Sequence, residues 1–206
     1  MWHLSEVHWF WTTIVSELLP APPQDERRPA RPADDALVDG FVAGATRLVQ
    51  ALREADQSAH CWTWAGWQQD VAFVTRHQVQ EAAVHHWDVV HATGGDLVLD
   101  RDVAVDAVDE FLHFSVASED DPDDPVKPPL AGTLGLRATD TGDAWTLTDG
   151  SRPGTVAVTS GLSEQEPFVA APASDLLLWL YGRAPLDTSA VPQDLVTRFR
   201  GVCFTD

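Results

Sequence analysis

The residues most able to do chemistry stand close together in Arg76-His77-Gln78-Val79-Gln80-Glu81-Ala82-Ala83-Val84-His85-His86-Trp87-Asp88. In a helix, residues four apart stand one turn above each other, so His77, Glu81 and His85 share a face and Asp88 continues it by a further turn. An imidazole and a carboxylate placed in this way can grip one divalent cation. The same pairing also occurs on solvated helix faces, so the spacing alone leaves both readings open. A metal needs a further ligand, and the start of the chain offers His3 and His8. Five helical residues turn through about 140°, so at most one of the two faces the same interior, and spacing mildly prefers His3, on the Leu4 and Val7 side. His60, His86, His91 and His113 stand outside the stripe or on other segments and are given no role.

Other chemistries are absent from the sequence. It has no GxSxG elbow, no GxxxxGK[ST] phosphate loop and no GxGxxG after a strand. Cys61 and Cys203 lie far apart with no CxxC spacing, which supports neither a disulfide framework nor a thiolate metal cluster. Cys61 sits in a tryptophan-rich connector with no basic neighbour to activate it, so it is expected to be packed and inert. Seven of the nine tryptophans precede residue 90, where large rings ordinarily build core.

Positioning these groups requires helices first and strands later. Apolar residues at three- and four-residue steps predict helices over 2–19, 34–55, 68–93 and 100–117, with Pro20 ending the first and Gly94 and Gly95 the third. The proline-rich stretch 20–32 reads as an exposed loop. After residue 130 the pattern alternates, predicting strands over 132–139, 144–148, 155–159 and 168–171, with Thr141-Gly142-Asp143 as a turn. Ser174 is expected to cap a helix over 175–181, and 192–200 makes a last short helix. The expected fold is a helical bundle over 1–118, an acidic linker over 119–130 and a small α+β domain over 131–206.

With 206 residues, 44% of them hydrophobic, the chain can bury a substantial core. Its 32 acidic against 13 basic residues give a net charge of -19, which repels phosphate backbones and anionic membrane surfaces and argues against nucleic-acid partners. The longest apolar runs fall short of a bilayer span and no secretory signal is legible, so a cytoplasmic setting is expected.

Four separated motifs carry a resemblance. Glu81-Ala82-Ala83-Val84-His85-His86-Trp87-Asp88 resembles the E-x-x-V-H-R-W-D signature of the mycothiol-dependent maleylpyruvate isomerase family, within the DinB-like helical-bundle superfamily. His3-Leu4-Ser5-Glu6-Val7-His8-Trp9 is similar to its H-L-G-x-V-H-R-W, and Cys61-Trp62-Thr63-Trp64 to the tryptophan stretch before its metal-bearing helix. The segments 132–140 and 173–183 resemble its C-terminal domain, itself similar to sterol carrier proteins. Two departures stand out: Gln80 and His86 occupy positions where the family commonly has His and Arg.

The resemblance implies a DinB-like up-down bundle followed by a small α+β domain, and a divalent metal, usually zinc, on His3, Glu81 and His85. It implies mycothiol as the thiol cofactor, an acidic small-molecule substrate, and isomerase or S-transferase activity. Arg76, Arg198 and Arg200 are the candidate cations for that substrate, Arg76 first, with a surface salt bridge as the equal alternative for each. Because family members carry a further helix ahead of H-L-G, the resemblance also implies a shortened chain with apolar surface exposed around Trp2, Leu4 and Trp11. The alternative is a non-catalytic DinB-like protein that has lost the metal site and binds a ligand or partner, as a monomer or a homodimer.

Overall fold

The protein is described by a computed structural model covering residues 1–117, 127–163 and 165–204. It has a helical N-terminal region followed by a four-stranded mixed sheet, the expected order of helices before an α+β part. Contacts divide the chain into two compact units, Met1–Gln78 and Val79–Asp206. The cut falls inside a helix and not in the acidic stretch 119–130, of which residues 119–126 lie outside the described residues.

The first unit contains α1 (Trp2–Glu17), α2 (Leu37–Glu54) and the beginning of α3 (Val71–Ala92). Helix α1 ends before Leu18, which takes a left-handed φ of 47°, and Leu19 donates back to the Ile14 carbonyl at 3.1 Å. The cause is Pro20: a residue preceding proline is disfavoured in the helical region, so the stop acts at Leu19 and the helix closes two residues earlier than periodicity predicts. Asp34 and Asp35 lie in a 3-10 turn, Asp34–Ala36, that leads into α2, acids at the positive end of the helix as expected. Against α1, α2 turns Gly44, Leu48 and Leu52 inward. Gly44 faces His8, and a Cβ there would meet its ring at 3.4 Å, an ordinary contact distance.

The tryptophan connector folds back through backbone bonds from Cys61 to Gln69 and from Trp62 to Leu19. Thr63 Oγ1 donates to the carbonyls of Ala65 and Gln68, at 3.0 and 2.7 Å. The Asp70 carboxylate accepts from Phe73 N at 2.8 Å, which caps α3 and sets its start at Val71, three residues later than periodicity predicts. Trp11 is 4% exposed, stacked on Trp62 and tilted against Trp64. The apolar surface expected around it is therefore covered by the connector, a contact between segments fifty residues apart that helical periodicity does not register.

The second unit holds the remainder of α3, α4 (Arg101–Phe114), β1 (Leu134–Ala138), β2 (Ala144–Asp149), β3 (Val156–Ser160), β4 (Phe168–Ala171), α5 (Ala173–Leu180) and α6 (Gln193–Val202). Gly94, at φ 78°, follows the last turn of α3. Asp100 caps α4 by accepting from Asp102 N and Val103 N. The strand order is β3-β2-β1-β4, with β1 antiparallel to β2 and parallel to β4. In that register Leu136 lies between Trp145 and Val169. Phe111, Leu112, Leu134, Leu136, Leu147, Leu176, Leu177 and Phe199 form one continuous core. Trp145 Nε1 also donates to Asp109 at 3.0 Å, so α4 shares its interior with the sheet.

Ser174 is not the cap of α5. It is buried in the first turn and accepts from Leu99 N at 3.1 Å, while the Asp140 carboxylate takes the amide of Ala173. The far end of α5 closes in a Schellman motif: Gly182, at φ 69°, donates to Trp179 O and Arg183 N donates to Leu178 O. That closure fixes where Tyr181 and Arg183 leave the helix. Among the described residues, no helix is long and apolar enough to cross a membrane.

Candidate metal centre

On the second half of α3, Glu81 and His85 meet across one turn, with Glu81 Oε1 3.3 Å from His85 Nε2. Asp88 approaches the other ring nitrogen, its Oδ2 3.0 Å from Nδ1. The imidazole thus stands between two carboxylates. A neutral ring can donate to only one of them, and an anion facing the bare lone pair of the other nitrogen is repelled. The arrangement calls for a positive charge on the Nε2 side, either a second proton or a metal ion. The His85 pKa is accordingly raised, chiefly by the hydrogen bond to Glu81 and further by the charges of Glu81 and Asp88, against the opposing effect of burial. With Nδ1 occupied by a carboxylate, Nε2 is the nitrogen presented to an ion, the usual carboxylate–histidine–metal order.

Asp88 is itself held. Arg183 Nε lies 3.3 Å from Asp88 Oδ1 and Nη2 lies 3.4 Å from Oδ2. The side chains of His85, Glu81 and Arg183 are largely buried, which shields this chain of charges from solvent. Arg183 lies in the segment 173–183, distant from Asp88 in the chain, and only the fold brings the two together.

The other candidates have surroundings of their own. His77 belongs to the aromatic cluster of the first unit, 4.5 Å from the Trp64 ring and stacked on Phe73. His3 is exposed in the first turn of α1, and Arg76 is half-buried on α3. Arg198 donates to the Leu130 carbonyl and to Asp194, and Arg200 lies 4.1 Å over the Trp179 ring while donating to the carbonyls of Trp179 and Leu180. Both guanidinium groups are thus engaged within the C-terminal part of the chain. His91 stacks on Trp87, and His113 contacts the Asp109 carbonyl. Cys61 is buried, and desolvation together with Asp70 pushes its thiol up to about 11, consistent with an inert group.

Beside the pair lies a polar cluster that periodicity passes over. Gln80, 3% exposed, sits between Glu110 and Tyr181, and the chemistry of these neighbours assigns its amide orientation: with the nitrogen toward Glu110 it donates to both carboxylate oxygens, at 2.6 and 3.1 Å, and its carbonyl accepts from the Tyr181 hydroxyl. The available signal was Glu110 itself, a carboxylate among the apolar residues Ala107, Phe111 and Phe114 of α4 and only 2% exposed.

Residues 1–90 match the family model described as the mycothiol maleylpyruvate isomerase N-terminal domain. In this span the chain is similar to that domain family. The matched span of the mycothiol maleylpyruvate isomerase N-terminal domain takes in His3, Glu81, His85 and Asp88 and ends before Glu110, Tyr181 and Arg183. No curated protein and no solved structure matches the chain.

Proposed function

We propose that the chain is a metal-dependent enzyme of thiol chemistry, an isomerase or S-transferase of the maleylpyruvate isomerase kind. In this reading it uses mycothiol and acts on a small acidic molecule. The observation that carries it is His85 held between Glu81 and Asp88, a geometry that favours positive charge on its Nε2 side, which a divalent ion can supply. His3 is the third ligand of the proposal, as the resemblance implies, giving with Glu81 and His85 a donor set of two imidazoles and one carboxylate. Three protein ligands leave open positions, as catalytic rather than structural zinc sites do, and zinc is the first choice among the metals such a set accepts.

A divalent ion held there would keep a thiol in its thiolate form at neutral pH, well below the ordinary thiol pKa of about 8.5. The protein's own residues do the rest. Glu81 balances the charge, Asp88 keeps the proton on Nδ1 and so directs Nε2, and Arg183 holds Asp88 in place. Arg76 is proposed to bind a carboxylate of the substrate, with a guanidinium suited to two-point recognition. A cytoplasmic setting, where a low-molecular-weight thiol is kept reduced, fits this chemistry.

The test is elemental analysis of the purified chain beside Glu81→Ala and His85→Ala. About one divalent ion per chain, lost in both variants, is the expected result. A parent protein without metal after supplementation overturns the reading. With metal established, turnover of maleylpyruvate with mycothiol is the next measurement, and Arg76→Ala is expected to raise KM more than it lowers kcat.

A further inference from the structure

Tyr181, the one tyrosine of the chain, stands where two sets of contacts meet. Its hydroxyl meets Gln80, the residue immediately before Glu81, and in the amide orientation that satisfies both neighbours it donates to the Gln80 carbonyl while the Gln80 nitrogen donates to Glu110. Its carbonyl accepts from Arg183 Nη1 at 2.9 Å, and its ring lies 5.4 Å beneath the same guanidinium. Arg183 grips Asp88, and Asp88 holds His85. One residue, through its hydroxyl on one side and its ring and backbone carbonyl on the other, is therefore connected to the neighbourhoods of both α3 ligands.

We propose that Tyr181 is a positioning residue for the metal ligands of α3, setting the helix through Gln80 at Glu81 and the imidazole through Arg183 and Asp88 at His85. This rests on the metal-centre reading. Gln80 and Glu110 are nearly inaccessible, and buried polar groups are costly unless bonded. Turning α3 by one residue, about 100°, would remove the Gln80 amide from both partners. The polar cluster therefore penalises any rotation that would turn Glu81 away from its working direction. On the other side, the Schellman closure of α5 fixes the backbone from Tyr181 to Arg183, so the guanidinium reaches Asp88 from a rigid base. Tyr181 is pinned in turn by an edge-on contact with the buried Phe111, at 5.0 Å.

A single tyrosine makes the experiment specific. Protein grown with 3-fluorotyrosine carries one fluorine site, and the expected result is one 19F resonance that shifts as Zn2+ is added, with no shift in His85→Ala. Tyr181→Phe, folded by circular dichroism, is expected to bind Zn2+ about 10- to 100-fold more weakly and to alter the visible spectrum of bound Co2+. Gln80→Leu should act in the same direction. A resonance that stays still while calorimetry records Zn2+ binding overturns the proposal, as does a Tyr181→Phe protein that binds Zn2+ as tightly as the parent. A parent that binds no Zn2+ brings down the metal centre and this inference together. Binding with an unmoved resonance brings down this inference alone.

Discussion

Asp88 and Arg183 show how far the behaviour of one side chain depends on the next. The i, i+3 and i, i+4 spacing puts Glu81 and Asp88 on either side of His85, and Arg183 adds the charge that keeps Asp88 in place. Asp88→Asn removes the anion that holds the Nδ1 proton, and a competition titration with a chromogenic chelator should record Zn2+ affinity about 10- to 100-fold lower. The cysteines are predicted to do the opposite of chemistry. Burial pushes the Cys203 thiol up to about 12 and that of Cys61 up to about 11, from an ordinary 9.0. The folded state thus keeps protons that the unfolded state releases, so their contribution to stability is intact below pH 9.0 and is lost as pH rises through the raised values. The denaturation midpoint should fall between pH 9.0 and about 11, and the fall should be shallower in Cys61→Ala than in the parent.

At the scale of elements, termini and close approaches set the tolerances. Asp100 satisfies two amides at the start of α4, the helix that carries Glu110 and Phe111. Asp100→Ala should cost about 1 kcal/mol, read as a thermal midpoint lower by about 2–4 °C in a chain of this size. Gly135 in β1 is more severe. A Cβ there would drive into the Leu162 side chain and come within 2.7 Å of Phe168 Cβ, where β4 pairs with β1. Gly135→Ala should destabilise by about 1–3 kcal/mol in chemical denaturation, whereas Gly40, with open space around its added Cβ, should accept alanine with no loss.

For the molecule as a whole, the helix bearing the candidate ligands is supported from a core built largely by later sequence. Val84 and Gln80 of α3 are buried in the unit that contains the sheet, and Phe111 lies fully inside it. Phe111→Ala should cost about 3–5 kcal/mol of global stability in urea titration. The same variant removes the ring against which Tyr181 rests, so Zn2+ affinity measured well below its unfolding midpoint should fall as well. If affinity held while stability dropped, the core would be supporting the fold without supporting the ligands.

The sequence by itself determined what local physics can determine. A 3.6-residue period marked the helices, alternation marked the strands, and the four-residue step from Glu81 to His85 brought a carboxylate and an imidazole together wherever the helix went. Prolines, glycines and aspartates placed the ends to within a few residues, as at Pro20, Gly94 and Asp100. Partners distant in the chain were beyond such rules. That Trp11 lies under Trp62 and Trp64, that Asp88 is taken by Arg183, and that Gln80 meets Glu110 and Tyr181 follow from how elements close over a core. Periodicity tells which face of a helix is buried, but not which buried group will stand opposite. Only the tertiary structure decided that, because the choice is made by packing all the elements at once.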